Sequence, residues 1–188
     1  LPVANWAKVD RDSTGVPLPY GIDIAPDGGV WFARLYADSI GRIDPSTKEI
    51  KMYDTPFKGP RRLRVDAEGG VWIAAFPESQ IVRFDQEKES FEFFEIPVEP
   101  LGSETPYSLN VDKARSIVWV NGNTSDALYA YYFKEDRWQH YPMPKRVTFT
   151  RDVEMAPDGT VFTTNSSFPS WHIEDAQPTL IVLNPVLP

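Results

Sequence analysis

The stretch that decides the fold is residues 19–56, which reads PYGIDIAPDGGVWFARLYADSIGRIDPSTKEIKMYDTP. Four short runs in it are rich in β-branched and aromatic residues, and turn sequences separate them. We expect strands at residues 21–25, 30–35, 39–44 and 49–53. The Asp27-Gly28 pair favours a tight hairpin between the first two strands, because glycine accepts the positive φ angle of such turns. The stretch therefore predicts one four-stranded antiparallel sheet.

This stretch recurs along the chain as repeats at about 19–56, 60–97, 106–144 and 150–185. Aromatic residues that mark one equivalent position are 41, 47 and 43 residues apart: Trp31, Trp72, Trp119 and Phe162. A period in this range with four short strands per unit is typical of β-propeller blades. The sequence therefore predicts an all-β fold, in which residues 1–188 form a single β-propeller domain of four-stranded antiparallel blades.

The ends of the chain leave two ring architectures open. The fourth repeat lacks its outermost strand, and residues 4–9, within an expected outer strand and linker at 1–18, resemble such a strand. The four repeats form either a closed four-bladed ring, completed by residues 4–9, or an arc of a larger propeller. An arc exposes two hydrophobic blade faces, so it needs a larger complex or self-assembly to cover them.

The composition excludes several classes of function. The net charge of −8 argues against nucleic acid or an anionic membrane surface as the main partner, because both need a basic face. The chain has no cysteine, which excludes disulfides, thiolate metal sites and cysteine nucleophiles. No apolar run approaches the roughly 20 residues of a membrane span. The lack of cysteine and a first residue other than Met lead us to expect a periplasmic or secreted protein.

The run P-Y-G-I-x-x-x-P-D-G-x-V-W-F, which begins at Pro19 and is followed by I-G-R-I-D from Ile40, resembles the virginiamycin B lyase (streptogramin lyase) family. The resemblance covers all four repeats and is strongest in the first. It implies a propeller of the seven-bladed type, of which four repeats are an arc. It also implies magnesium-assisted elimination that opens a cyclic depsipeptide, with a histidine base and a glutamate that helps to hold the metal.

The family's two catalytic positions hold other residues in this chain. The histidine position, directly after the proline that opens a repeat, holds Tyr20, Arg61, Tyr107 and Arg151. The glutamate position, three residues after the tryptophan, holds Arg34, Ala75, Gly122 and Asn165. The two histidines of the chain, His140 and His172, lie elsewhere. We therefore predict no catalytic residue, no metal ligand and no cofactor in these repeats; magnesium enters only if the lyase alternative holds.

The expected binding site is the mouth of the central channel. Six residues at equivalent repeat positions are expected to line it: Tyr20, Arg34, Arg61, Tyr107, Arg151 and Asn165. Three converging arginines could bind a carboxylate or phosphate through bidentate hydrogen bonds. Alternatively, the arginines pair with Asp23, Asp152 and Glu154 in a purely structural network. A long insertion at residues 166–177 adds two more candidates, Trp171 and His172.

Three functions remain open at this point. The leading hypothesis is a non-catalytic binding or scaffold propeller, which holds a small molecule or a protein partner at the channel mouth. The alternative is a magnesium-dependent C–O lyase acting on cyclic depsipeptides of the streptogramin B type, with its histidine and glutamate outside this segment. The third is a purely structural subunit of a larger complex.

Overall fold

The computed structural model describes residues 19–166 and 179–185, and within them every regular element is a β-strand. Residues 1–18, 167–178 and 186–188 are not described. The expected strand at residues 4–9 and the side chains of Trp171 and His172 therefore lie outside the described residues. Among the described residues, no helix is long and apolar enough to cross a membrane.

The four repeats form four separate antiparallel sheets, as the sequence predicted. The first blade contains β1 (Pro19–Ile24), β2 (Val30–Arg34), β3 (Ser39–Ile43) and β4 (Ile50–Asp54). The second contains β5 (Pro60–Val65), β6 (Val71–Ala75), β7 (Gln80–Asp85) and β8 (Ser90–Glu95). The third contains β9 (Pro106–Asp112), β10 (Ile117–Gly122), β11 (Ala127–Tyr132) and β12 (Arg137–Pro142). The described strands of the fourth are β13 (Val153–Met155), β14 (Val161–Thr164) and β15 (Leu180–Leu183).

The first strand of each blade lies innermost. Strand β1 contacts β5, β5 contacts β9, and β9 contacts β13, so the inner strands stand side by side along the axis of the arc. Each blade then extends outwards, because its strands pair in chain order. This arrangement brings the residues that open each repeat to one end of the axis.

The same pattern of hydrogen bonds connects each of the first three blades to the linker that follows it. The turn before the third strand of a blade ends in a residue with positive φ: Asp38, Ser79 or Asp126. The carbonyl of that residue accepts a hydrogen bond from the backbone just after the outermost strand, at Thr55, Ile96 or Met143. Its side chain accepts another from the following linker, at Gly59, Glu104 or Thr148. The polar turn residue thus fixes the path of the chain between blades.

The apolar cores lie between neighbouring blades. Trp31, Trp72 and Trp119 are each buried in the core that their blade shares with the following one. Aromatic contacts continue across these interfaces: Trp31 lies 5.7 Å from Phe84, and Trp72 lies 6.0 Å from Tyr131, between ring centroids. The recurring tryptophan that marks the repeat in the sequence is therefore the residue that joins the blades.

The two outer faces of the arc are uncovered in the described structure. Ile22 on β1 is 64% exposed, whereas its equivalent in the second blade, Leu63, is fully buried. Leu180 on β15 is 61% exposed, whereas its equivalent in the first blade, Ile40, is fully buried. Among the described residues, no apolar cluster joins the fourth blade to the first. The described blades are therefore consistent with an arc of a larger propeller, the second of the two architectures that the sequence allowed.

Candidate functional site

Close contact between the inner strands brings the candidate residues together. Tyr20, Arg61 and Tyr107 each follow the proline that opens β1, β5 or β9. Gly21 permits the approach of β1 to β5, because a Cβ atom there would lie 2.6 Å from the backbone nitrogen of Leu63. A side chain at this position would therefore push the strands apart.

The site is built around one guanidinium group. The Cζ atom of Arg61 lies 3.6 Å from the ring centroid of Tyr107, 4.3 Å from that of Phe76 and 4.5 Å from that of Tyr20. The Cζ atom of Arg151 lies 5.5 Å from the Tyr107 ring. These distances fall within the range of cation–π attraction. We refer to Tyr20, Arg61, Phe76, Tyr107 and Arg151 as the Arg61 cluster.

Hydrogen bonds fix the two phenols of the cluster. Arg61 donates from Nη2 to the Tyr20 hydroxyl at 2.8 Å, and the hydroxyls of Tyr20 and Tyr107 are 2.9 Å apart. Burial, and then the hydrogen bond with Tyr107, raise the pKa of Tyr20. Burial also opposes ionisation of Tyr107, but the hydrogen bond with Tyr20 and the positive charges of Arg61 and Arg151 outweigh it and lower the pKa of Tyr107. The pair is therefore polarised, with Tyr107 the more acidic phenol.

The neighbouring basic residues make different contacts. Arg62 lies 3.6 Å from the carboxylate of Asp152, which also accepts a 2.9 Å hydrogen bond from Ser108. Asp23 accepts a hydrogen bond from the backbone of Val65. Arg62, which is not one of the predicted mouth residues, thus pairs with an acid. Arg61, which is one of them, contacts aromatic rings and a phenol in place of the acids that the network alternative expected.

Two of the predicted mouth residues make contacts other than those of the cluster. Arg34 is only 8% exposed and donates a hydrogen bond to Ser39 at 3.2 Å. Burial lowers the pKa of Arg34, and the carboxylate of Asp54 opposes part of that shift. Asn165 is also buried, and its side-chain oxygen accepts a 2.7 Å hydrogen bond from the backbone of Thr179. In the described structure, neither residue takes part in the ring contacts that define the cluster.

Phe76 is the member of the cluster that the sequence analysis missed. It follows β6 in an outer turn of the second blade and meets Tyr107 edge-on, with ring centroids 5.9 Å apart. Its repeat equivalents are Leu35 and Asn123, so the repeat pattern gives no aromatic signal at this position. An apolar residue beside the predicted mouth of the channel was the only available clue.

The opposite end of the inner strands carries a polar cleft. It has a volume of about 580 Å³ and is lined by the hairpin turns of the first two blades. Its charges are largely paired: Arg83 lies 3.0 Å from Asp66, and Lys88 lies 2.9 Å from Asp85.

In residues 19–166 and 179–185, no group of three or more acidic or histidine side chains could hold a metal ion. His140 lies on the outermost strand β12 and stacks on Tyr129.

No protein-family model matches the chain, and no curated protein sequence matches it. Solved structures do match. A catalytically inactive variant of virginiamycin B lyase from Staphylococcus aureus with quinupristin has a TM-score of 0.66 at 19% identity, covering 78% of this chain and 48% of that chain. Kuenenia stuttgartiensis hydrazine synthase has a TM-score of 0.71 at 14% identity, covering 94% and 52%. The extracellular domain of a putative hybrid two-component system from B. thetaiotaomicron has a TM-score of 0.64 at 18% identity, covering 82% and 20%.

These likenesses define the class of fold. The chain has a β-propeller fold that resembles that of virginiamycin B lyase, as its repeats predicted. The chain spans about half of the length of the lyase and of the hydrazine synthase. At these identities the likeness concerns the fold alone, because one propeller architecture hosts unrelated functions.

Proposed function

We propose that this protein is a non-catalytic binding or scaffold propeller, whose small-molecule or protein partner contacts the Arg61 cluster at the mouth of the channel. The proposal rests on one observation. Tyr20, Arg61, Phe76 and Tyr107, which come from three blades, lie together in one partly exposed cluster. Aromatic rings and arginines that converge at one point are the residues on which binding energy usually concentrates. The rigid inner strands hold them in place, which lowers the entropic cost of binding.

The proposal includes a periplasmic or secreted location and no bound cofactor. The chain has no cysteine to be oxidised outside the cytoplasm. One similar structure is itself an extracellular domain. Under this proposal the insertion that contains Trp171 and His172 contributes further contacts to the partner.

A fragment screen tests the site directly. The full chain, labelled with ¹³C in its tyrosine rings, is screened by NMR against a chemically diverse library of small fragments. We expect fragments that shift the Tyr20 and Tyr107 signals together, and weaker binding of the same fragments to Arg61→Gln. Tyr36→Phe is the matched control, because Tyr36 is an exposed tyrosine of the first blade outside the cluster. A screen whose hits leave both cluster tyrosines unmoved overturns the proposal.

The second candidate is the magnesium-dependent C–O lyase, and the fold likeness to a lyase with quinupristin favours it. In such an elimination a base removes a proton, the ester C–O bond breaks and a carbon–carbon double bond forms, so the product has the mass of the substrate. Quinupristin and Mg²⁺ are therefore incubated with the protein and followed by chromatography and mass spectrometry. A ring-opened product of unchanged mass with new ultraviolet absorption supports the lyase; quinupristin left unaltered by the complete ring counts against it.

A further inference from the structure

Two arginines of the cluster differ from the five described arginines that pair with acids. Several described arginines lie within 4 Å of a carboxylate: Arg42, Arg62, Arg83, Arg115 and Arg137. Arg61 and Arg151 have no such ion pair among the described residues, and both lie against the ring of Tyr107. The two cations are thus neighbours without a described counter-ion, in a chain whose net charge is −8.

Arg137 shows what a compensated arginine of this kind looks like. Its Cζ atom lies 3.9 Å from the ring centroid of Tyr132, much as Arg61 lies against Tyr107. Unlike Arg61, it also lies 3.1 Å from the carboxylate of Glu135. Stacking on a tyrosine therefore does not replace an acidic partner in this protein. Arg61 and Arg151 lack, among the described residues, the acidic partner that Arg137 has.

We infer that the ligand of this site carries an oxyanion, a carboxylate or a phosphate, which contacts Arg61 and Arg151 beside Tyr107. The inference rests on the proposed function, because it names the chemistry of the ligand for the same site. Both guanidinium groups lie against the ring of Tyr107. Guanidinium groups bind such anions through paired, charge-assisted hydrogen bonds. One of the two phenols keeps a free hydroxyl proton and adds a neutral hydrogen-bond donor at the same place, because only the other donates across the Tyr20–Tyr107 bond.

The electrostatic potential at Tyr107 also supports an anionic ligand. The positive charges of Arg61 and Arg151 both contribute to lowering the pKa of Tyr107, which means that both favour a negative charge at that point. A ligand oxyanion placed there meets the same favourable potential. Partial burial of the site strengthens this attraction relative to that on an open surface.

Three probes test the inference: benzoate, its neutral analogue of the same size, benzamide, and inorganic phosphate. Binding to the full chain is measured at low ionic strength through the Tyr20 and Tyr107 NMR signals. We expect at least one of the two anions to bind roughly tenfold or more tightly than benzamide, the ratio that charge-assisted hydrogen bonds provide. A preference for benzoate assigns a carboxylate ligand, and a preference for phosphate assigns a phosphate ligand.

Arg151→Gln is the decisive variant, because Arg151 is exposed and its loss should leave the fold intact. We expect it to remove most of the preference for the anion over benzamide. Arg137→Gln, which removes a stacked but compensated arginine, should leave that preference unchanged. The inference is overturned if neither anion binds more tightly than benzamide, or if the two variants behave alike. If fragments bind beside the two tyrosines but show no preference for a negative charge, the proposed binding function still holds. Only the inference that the ligand is an anion is then overturned.

Discussion

The hydroxyls of Tyr20 and Tyr107 lie 2.9 Å apart, although 87 residues separate them in the chain. One residue opens the first blade and the other opens the third, and Arg61 from the blade between them donates to Tyr20. The contact therefore exists only when three consecutive blades pack correctly. A change in the packing of the inner strands must alter the electrostatics of the two phenols.

The pKa of Tyr107 should report on this contact. The hydrogen bond with Tyr20 stabilises ionised Tyr107, so Tyr20→Phe should raise the pKa of Tyr107 towards the ordinary value for tyrosine. A pH titration of the ¹³Cζ signal of Tyr107 measures the change. The exposed Tyr36→Phe should leave the titration of Tyr107 where it was. A Tyr107 pKa that does not move in Tyr20→Phe would show that the two phenols are not bonded in solution.

Gly21→Ala should disturb both the fold and the cluster. The new Cβ would lie 2.6 Å from the Leu63 nitrogen and 2.9 Å from the Arg61 carbonyl oxygen, so β1 must move away from β5. Overpacking of this kind costs about 1–3 kcal/mol, measurable by urea unfolding. In Gly69→Ala the Cβ has open space but φ is +89°, which costs about 1 kcal/mol through backbone strain. Only Gly21→Ala should also shift the Tyr20 and Tyr107 signals; equal spectra for the two variants would contradict the proposed role of Gly21.

The repeat pattern predicted the parts of this structure that repeat. Trp31 and its equivalents marked four repeats, and each repeat forms one sheet, because the same packing problem recurs at each of them. Tyr20, Arg61 and Tyr107 were predicted to lie together for the same reason, since they open three adjacent inner strands.

What the pattern could not predict is the environment of a single side chain. Arg34 and Asn165 stand at a repeat position beside the channel, yet local hydrogen bonds to Ser39 and Thr179 hold them in buried surroundings. Phe76 entered the cluster from a turn whose sequence differs between repeats. A repeat alignment places the backbone, whereas the partner of a polar side chain depends on neighbours that vary from blade to blade.

Tyr141→Phe should make the folded protein more stable than the wild type at alkaline pH. Tyr141 packs against Trp119 on the third blade, and burial, followed by the neighbouring phenol of Tyr132, raises the pKa of Tyr141 to about 12. An unfolded chain ionises tyrosine near pH 10, so between about pH 10 and 12 the unfolded state loses a proton that the folded state keeps, and stability falls as pH rises. The variant avoids this loss. Phe94 already occupies the equivalent position in the second blade, so phenylalanine fits there.

Urea unfolding at about pH 9 and pH 11 measures the effect of Tyr141→Phe. The stability of the variant relative to the wild type should rise by about 1 kcal/mol between the two pH values, after allowance for the partial exposure of the ring. Tyr36→Phe, on an exposed side chain, should give no such rise. An identical change in the two variants would mean that Tyr141 is not held in its neutral form by the fold.

A matched pair of equivalent positions tests whether the arc is open in solution. Leu63 is fully buried between the first two blades, so Leu63→Ala should cost about 2–5 kcal/mol of unfolding free energy. Ile22 occupies the same repeat position in the first blade but is 64% exposed, so Ile22→Ala should cost under about 1 kcal/mol. Urea unfolding of both variants at low and high protein concentration gives the comparison. Comparable losses at every concentration would mean that another part of the same chain covers the face of the first blade. A loss for Ile22→Ala that grows with concentration would mean that a second copy covers it.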